Sequence, residues 1–175
     1  MSEIFTEALV LDNEDLGDFD ARIYLYTRDF GKISSKARSI RKITSKLAGH
    51  LQPLNIVQAR LVNKDGILAN VRLVDALKVG QLPRTARTIS ILNLIKELSA
   101  EGQSDPELWD AIHSGGKDGL TGVLVLSLLG FNPDLAVCQL CGGRQPANFV
   151  YRNLDYFCSA CFANSPVKYG FFTLK

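Results

Sequence analysis

Four cysteines arranged as two Cys-x-x-Cys pairs constrain the fold of this chain more than any other feature of its sequence. The pairs are Cys138–Cys141 and Cys158–Cys161, and residues 142–157 separate them. Each pair brings two soft thiolates close together, and a hairpin between the pairs can close one tetrahedral site, which is the geometry that zinc prefers. We therefore predict a zinc ribbon with one structural Zn²⁺, whose ligands are Cys138, Cys141, Cys158 and Cys161.

Three other uses of the cysteines remain open at this point. Two disulfides would require an oxidising compartment, and a dithiol redox motif ordinarily uses one pair rather than two matched pairs. An iron–sulfur cluster also takes four thiolates. A metal ion with four protein ligands has no open position for a substrate, so the predicted site is structural.

The charges are distributed unevenly along the chain, although the formal net charge is only +2. Residues 1–20 contain seven acids and no Lys or Arg, whereas residues 28–46 contain seven bases and the single acid Asp29. The stretch 36–46 holds five cations and three hydroxyl residues, side chains that bind phosphate oxygens. Such asymmetry indicates a surface that faces a polyanion, although a charge run is often only a solvated face.

No targeting segment is recognisable in the sequence. The N-terminus is acidic and no apolar core follows it, unlike a secretory signal. The most apolar stretch, 120–131, is far shorter than the roughly 20 residues that span a bilayer. We expect a cytoplasmic protein without membrane contact, where thiols stay reduced.

Hydrophobic residues alternate with a period of two through about residue 76, which predicts short β-strands. An Asp-Gly turn within 63–66 is typical of a hairpin between the last two strands. Five strands in this length indicate a small barrel, for which the OB-fold is the leading candidate. The predicted strands are 8–11, 22–28, 32–38, 55–62 and 67–74.

The second predicted strand divides its side chains between two faces. Ile23, Leu25 and Thr27 share one face, and the other carries Arg22, Tyr24, Tyr26 and Arg28. Cations beside exposed aromatic rings are how OB-folds hold single strands, so we expect this second face to be open. The opposite assignment would bury the two tyrosines together with two arginines, which is unfavourable.

The period becomes helical after Pro83. Helices are predicted at 91–98, from Asp105 to 112, and at 120–129. The predicted fold class is α+β with several modules, namely a five-stranded OB-fold barrel followed by a small all-α region with a zinc ribbon. The predicted domains are 1–80 and 81–175, with the ribbon at about 136–163.

Signatures of catalysis are poor. His50 and His113 lie in no nucleophile or metal pattern. The stretch 114–119 fails as a phosphate loop and is interpreted as an interhelix turn, and the acidic run 12–20 fails as an EF-hand. We therefore expect no catalytic residue, no small-molecule substrate and no enzyme activity.

Taken in order, these motifs resemble the RecO family of bacterial DNA repair and recombination mediators. The resemblance covers most of the chain, and neither the basic stretch nor the ribbon would suffice alone. At the N-terminal end it is carried by 8–11, 24–27, 31–33, 38–47 and 51–54, and farther on by 128–135 running into Cys138-Gln-Leu-Cys-Gly142.

The resemblance implies a non-catalytic role in DNA recombination after damage. It implies binding of single- and double-stranded DNA, annealing of complementary strands, and work with RecR to load RecA onto SSB-coated DNA near the nucleoid. The four cysteines match the family's zinc ligands. The DNA-facing positions would be Lys32, Lys36, Arg38, Arg41, Lys42 and Lys46, with Arg22, Tyr24 and Arg28 beside them.

Two departures from the family pattern bear on these expectations. Only residues 162–175 follow the last cysteine, and 154–156 is Leu-Asp-Tyr where a glycine-rich turn is usual. The chain is therefore interpreted as a minimal or a truncated member, which leaves the SSB-tail and RecR contacts open. The alternatives are an RNA-binding or transcription-associated OB/zinc-ribbon protein, and a non-catalytic scaffold that binds an acidic protein tail.

Overall fold

The computed structural model describes residues 2–63, 71–118, 120–167 and 169–174. A single turn of 3-10 helix, Pro133–Leu135, precedes the cysteines. The strands are β1 (Ser2–Leu16), β2 (Asp20–Thr27), β3 (Gly31–Ala37), β4 (Asn55–Asn63), β5 (Val71–Gln81), β6 (Asn148–Val150), β7 (Asp155–Phe157) and β8 (Phe171–Thr173). The helices are α1 (Ala86–Leu98), α2 (Pro106–Asp118), α3 (Gly122–Leu128) and α4 (Ser159–Ala163).

The first five strands form a closed barrel in the order β1-β2-β3-β5-β4. The long strand β1 pairs antiparallel with both β2 and β4, and a short parallel contact between β3 and β5 closes the barrel. The predicted five-stranded barrel is confirmed. The predicted Asp-Gly turn and the start of the fifth predicted strand fall on 64–70, outside the described residues.

Strand β1 contributes to two separate hydrophobic cores because its side chains alternate. Ala8 and Val10 lie inside the barrel, in the cluster that also contains Ile23. Leu9 and Leu11 point outward into a second cluster, which the helices complete. Part of the outer surface of the barrel is therefore buried in the hydrophobic core that it shares with the helices.

Helix α2 begins after Asp105 as predicted, whereas α1 begins five residues before the predicted start at 91, and α3 is shorter than the predicted 120–129. Thr85 caps α1 through its hydroxyl, and the Asp105 carboxylate accepts from the backbone N–H of Leu108 at the start of α2. The interhelix turn predicted at 114–119 is wrong, because α2 continues to Asp118. Among the described residues, no helix has the length and apolar character needed to cross a membrane.

The C-terminal sheet has the order β7-β6-β8 and packs against the helices. Its centre is Phe149, whose ring centroid lies 5.3 Å from that of Phe131 and 4.8 Å from that of Tyr156. Strand β8 lies beyond the predicted ribbon boundary at 163 and carries the buried Phe172. A Cβ on Gly122 would lie 2.0 Å from that ring, so the sheet packs on α3 only where glycine leaves room.

Candidate nucleic-acid interface and metal centre

The basic segment, residues 38–46, lies against the turn between β1 and β2, which we call the hairpin tip (residues 17–19). Arg41 makes the connection. Its backbone N–H donates to the Phe19 carbonyl at 3.0 Å, and its Nη1 donates to the Gly17 carbonyl at 2.9 Å. Its Nη2 also lies 3.0 Å from Oδ2 of Asp15. Arg41 therefore fixes the basic segment to the barrel.

Asp20 makes the second attachment of the basic segment. Its Oδ1 accepts from the backbone N–H of Ser39 at 2.9 Å, and its Oδ2 lies 2.9 Å from the Lys36 ammonium. The Ser39 hydrogen bond and then the Lys36 contact hold the pKa of this carboxyl below its ordinary value. Acids and bases that are separate along the sequence are therefore neighbours in the structure, because the hairpin brings them together.

The remaining cations of the segment are exposed. Arg38 and Lys46 make no ion pair with any residue in the described ranges, and Lys42 lies over the Phe19 ring at 5.5 Å from its centroid. Arg22 is exposed on β2, opposite Lys36 in the strand register. These side chains leave a positively charged surface beside the hairpin tip.

The open stacking face predicted on β2 is wrong for Tyr26, which is only 1% exposed and packs under the helices. Burial raises the pKa of its hydroxyl to about 12. Tyr24 is partly covered, because the Lys96 ammonium lies 4.5 Å from its ring centroid. The sequence pattern was correct about which residues share a face, but α1 covers this end of that face.

Two predicted DNA-facing cations lie away from the basic segment. Lys32 donates from its ammonium to the Lys96 carbonyl at 2.9 Å, so it stabilises the last turn of α1. Arg28 instead lines a cavity of about 500 Å³ near the start of β1, together with Phe5 and Arg60. The structure therefore brings together Arg22, Lys36, Arg38, Arg41, Lys42 and Lys46, and separates Lys32 and Arg28 from them.

Sequence reasoning missed Phe19, whose ring is 54% exposed at the hairpin tip. It precedes the first strongly alternating strand and lies within the acidic run, so no local pattern connects it to the basic residues. Only the pairing of β1 with β2 and the Arg41 contacts bring it beside them.

The four cysteines converge at one site beside β6 and β7. Their sulfurs all lie within 4.8 Å of one another, and the sulfurs of Cys141 and Cys158 are 3.8 Å apart. Tetrahedral Zn–S bonds of about 2.3 Å separate ligand sulfurs by about 3.8 Å, so the residues fit a zinc ion. The first knuckle turns at Gly142, whose φ is +70° and whose N–H donates to the Cys138 carbonyl at 2.8 Å.

The environment of the sulfurs suits thiolate ligands. Backbone N–H groups of Cys158 and then Cys141 lower the pKa of the Cys138 thiol to about 6, which favours the form that binds metal. The neighbouring sulfurs of Cys158, Cys141 and Cys138 raise the pKa of Cys161 to about 12. A bound divalent cation would offset the mutual repulsion of the thiolates, because its charge favours the thiolate form at all four cysteines.

Comparison with known proteins agrees with this architecture. The family model described as recombination protein O, N terminal, matches residues 1–78, which are the barrel. A DNA repair protein RecO from Bacillus pumilus (strain SAFR-032) is 25% identical over 181 residues, covering 94% of this chain. One from Myxococcus xanthus (strain DK1622) is 28% identical and one from Syntrophobacter fumaroxidans (strain DSM 10017 / MPOB) is 27% identical, each over 78% of this chain. The chain is thus similar to RecO proteins over most of its length, and its barrel matches the RecO N-terminal model.

The chain spans 71%, 63% and 61% of the lengths of these three relatives, in the order given. The matched regions of the relatives extend beyond the barrel, so the similarity includes the helices as well as the N-terminal strands. The RecO resemblance carried by the sequence motifs is therefore confirmed.

Proposed function

We propose that this chain binds single- and double-stranded DNA in recombinational repair, through the surface formed by the hairpin tip and the basic segment. The curated relatives carry the name DNA repair protein, which supports the biological role. The barrel's strand order supports its assignment as an OB-fold, whose first hairpin and neighbouring strands are a common nucleic-acid surface. The observation that carries the proposal is the exposure of Arg38, Lys42 and Lys46 on one anchored segment.

The proposed mechanism is electrostatic. The exposed cations neutralise phosphates and release condensed counterions, while Lys36 and Arg41 mainly hold the segment in place through their carboxylate contacts. Binding one strand by its phosphates leaves its bases accessible to a complementary strand, which is the requirement for annealing. No bond is made or broken in this role, and we propose that the chain is not an enzyme.

The four cysteines support a structural zinc ribbon as the finer description of the C-terminal module. Cys138, Cys141, Cys158 and Cys161 would hold one ion, which supplies cross-linking between the two knuckles and has no open position for chemistry. From the similarity to RecO proteins we also propose RecR, SSB and RecA as the proteins that act with this chain on DNA.

The test is a charge-matched comparison in the full chain. The variant Arg38→Ala/Lys42→Ala/Lys46→Ala removes three exposed cations of the basic segment. The control Lys78→Ala/Arg84→Ala/Arg87→Ala removes three exposed cations elsewhere. Fluorescence anisotropy with a single-stranded DNA oligonucleotide, repeated over a series of salt concentrations, gives the affinity and its salt dependence.

We expect the basic-segment variant to lose about tenfold or more in affinity and its salt slope to become shallower by about 2, because each lost phosphate contact removes about 0.7. The control keeps most of the affinity. Equal affinities and slopes for the two variants would contradict the assignment. The same titrations with RNA of the same sequence separate a DNA-binding protein from an RNA-binding one.

A further inference from the structure

The Phe19 side chain is exposed at a position where the backbone is held firmly. The tip turns at Gly17, whose φ is +69°, a conformation that favours glycine. The backbone of Phe19 is then fixed by the hydrogen bond from the Arg41 N–H to its carbonyl. The barrel therefore presents this aromatic ring to solvent on a tethered turn.

Cations of the basic segment lie close to this ring, which Asp18 and Asp20 flank in the chain. The Lys42 ammonium lies 5.5 Å from the ring centroid, within the range of a cation–π contact. Arg38 and Lys46 are exposed on the same segment, and Ile43, the residue after Lys42, projects fully into solvent. An aromatic ring and an apolar side chain thus lie beside three exposed cations that attract phosphate, while Lys36 neutralises the neighbouring Asp20.

Three other rings of the barrel, those of Phe5, Tyr24 and Tyr26, lack this combination. Phe5 is 71% exposed, but the cavity that it lines holds three acids (Glu7, Asp29 and Asp75) against two bases (Arg28 and Arg60), so it does not favour phosphate. Tyr26 is buried beneath the helices and Tyr24 is covered by Lys96. Among these four rings, the exposed ring beside the basic segment belongs to Phe19.

We propose that Phe19 is a stacking platform for one unpaired base of a single-stranded nucleic acid. A base stacks on the exposed part of the ring, and the Lys42 ammonium binds the phosphate next to that base. Stacking on aromatic side chains is sequence-tolerant, since every base has a π-face. The bases within an intact duplex are already stacked on one another, so the platform gives a preference for single strands that charge alone does not provide.

This inference rests on the proposed nucleic-acid binding through the same surface, and its test separates the two. The variant Phe19→Leu keeps an apolar side chain but removes the ring, and Phe19→Trp restores a ring. The matched control is Phe5→Leu, which removes an exposed ring near the start of β1, far along the strand from the hairpin tip. Affinities are measured for a single-stranded oligonucleotide and for the same sequence as a blunt duplex, and thermal melting confirms that each variant is folded.

We expect Phe19→Leu to lose about tenfold in affinity for the single strand, the effect of removing one stacked base, with an unchanged salt slope and unchanged duplex affinity. Phe19→Trp regains the affinity, and Phe5→Leu binds like the unaltered chain. A single strand containing 2-aminopurine reports stacking directly, because its fluorescence is quenched on binding to the unaltered chain and less so with Phe19→Leu.

Wild-type affinity of Phe19→Leu for the single strand overturns the platform, as does an equal loss for single strand and duplex. The basic-segment variant decides the proposed function separately. A loss of binding in that variant, together with unaltered binding by Phe19→Leu, would retain the electrostatic surface and reject the stacking site.

Discussion

The ammonium of Lys96 on α1 lies 2.7 Å from Oδ2 of Asp12 on β1, and this ion pair joins the helices to the barrel. The same ammonium is 3.3 Å from Oε1 of Glu14 and 4.5 Å from the centroid of the Tyr24 ring. In return, Lys32 of the barrel donates to the Lys96 carbonyl. These polar contacts border the hydrophobic cluster shared by the two modules, so we interpret Lys96 as a structural link between them.

Replacing this lysine should destabilise the chain. Burial disfavours the Lys96 ammonium, but hydrogen bonds and charge interactions with Asp12 and then Glu14 outweigh that cost and raise its pKa above 10.5. We expect Lys96→Met to lower the free energy of unfolding by about 1–3 kcal/mol, because the variant leaves the two carboxylates without their counter-charge. Urea denaturation at neutral pH measures this difference.

Lys78→Met is the control, since Lys78 is exposed and its ammonium donates to the neutral Gln81 side chain. It should change stability by less than about 0.5 kcal/mol. Because the folded-state pKa of Lys96 is raised, its contribution is fully present below pH 10.5 and is lost as pH rises through the folded-state value. Equal stability of the two variants would reject the link.

The barrel is predictable from the sequence because a half-buried strand records its two faces in the alternation of its residues. That alternation assigns Ile23 and Leu25 to the interior correctly. It does not tell what lies on the outer face, since the helices that cover Tyr26 are distant in sequence. The sequence pattern therefore predicts that the tyrosines stack on bases, whereas in the structure Tyr26 is part of the hydrophobic core.

Local sequence patterns also predict some parts of the candidate site but not the parts that depend on long-range contacts. The cysteine cluster is predictable because each knuckle is a local turn with its own chemistry. The basic segment is equally visible as a run of cations, but its partners are not, because Asp15 and Asp20 reach it only through strand pairing. Phe19 joins the site by the same long-range contact, without any signal in its neighbours.

Acid should loosen the basic segment from the barrel. The pKa of Asp20 is lowered from 3.8 chiefly by the Ser39 N–H and next by Lys36, with a smaller contribution from Arg38. A lowered pKa means that the attachment is fully present above pH 3.8 and is lost as pH falls through the folded-state value. NMR titration of the Asp20 carboxyl should therefore give a midpoint below 3.8.

Substitutions of Lys36 and Arg38 test the causes of the lowered pKa of Asp20. Lys36→Gln should raise the Asp20 pKa only part of the way to 3.8, because the Ser39 hydrogen bond remains. Arg38→Gln should raise it less than Lys36→Gln does. A complete return to 3.8 in Lys36→Gln would show that the Ser39 contact is not the larger cause.

Removal of metal should unfold the C-terminal sheet before the barrel. The sheet has three strands of three residues each. One face packs on the helices through Phe149, while the cluster beside the cysteines is small and centred on Val150 and Phe157. Such a small module depends on its metal. We expect about one zinc per chain by metal analysis, and faster amide hydrogen exchange in β6 and β7 after chelation, while the barrel interior stays protected.

Cys138→Ser should reproduce the chelated state, since it removes the most buried ligand. Chelator added to this variant should have no further effect on hydrogen exchange, which controls for action at other sites. Unchanged exchange in the metal-free chain would contradict a structural role for the ion. Loss of protection in both modules at once would instead mean that the barrel depends on the sheet.

Replacing Leu154 should stabilise the hairpin between β6 and β7. Leu154 has a φ of +59°, in the left-handed region that costs a residue with a Cβ roughly 1–2 kcal/mol, and its side chain is 48% exposed. Leu154→Gly removes this strain but increases the entropy of the unfolded chain, so we expect a net gain of about 0.5 kcal/mol in the free energy of unfolding. The control Leu154→Ala keeps the Cβ and should give no gain. Urea denaturation of the zinc-loaded variants measures both, and a gain in Leu154→Ala as large as that in Leu154→Gly would assign the effect to the lost exposed side chain instead of the backbone.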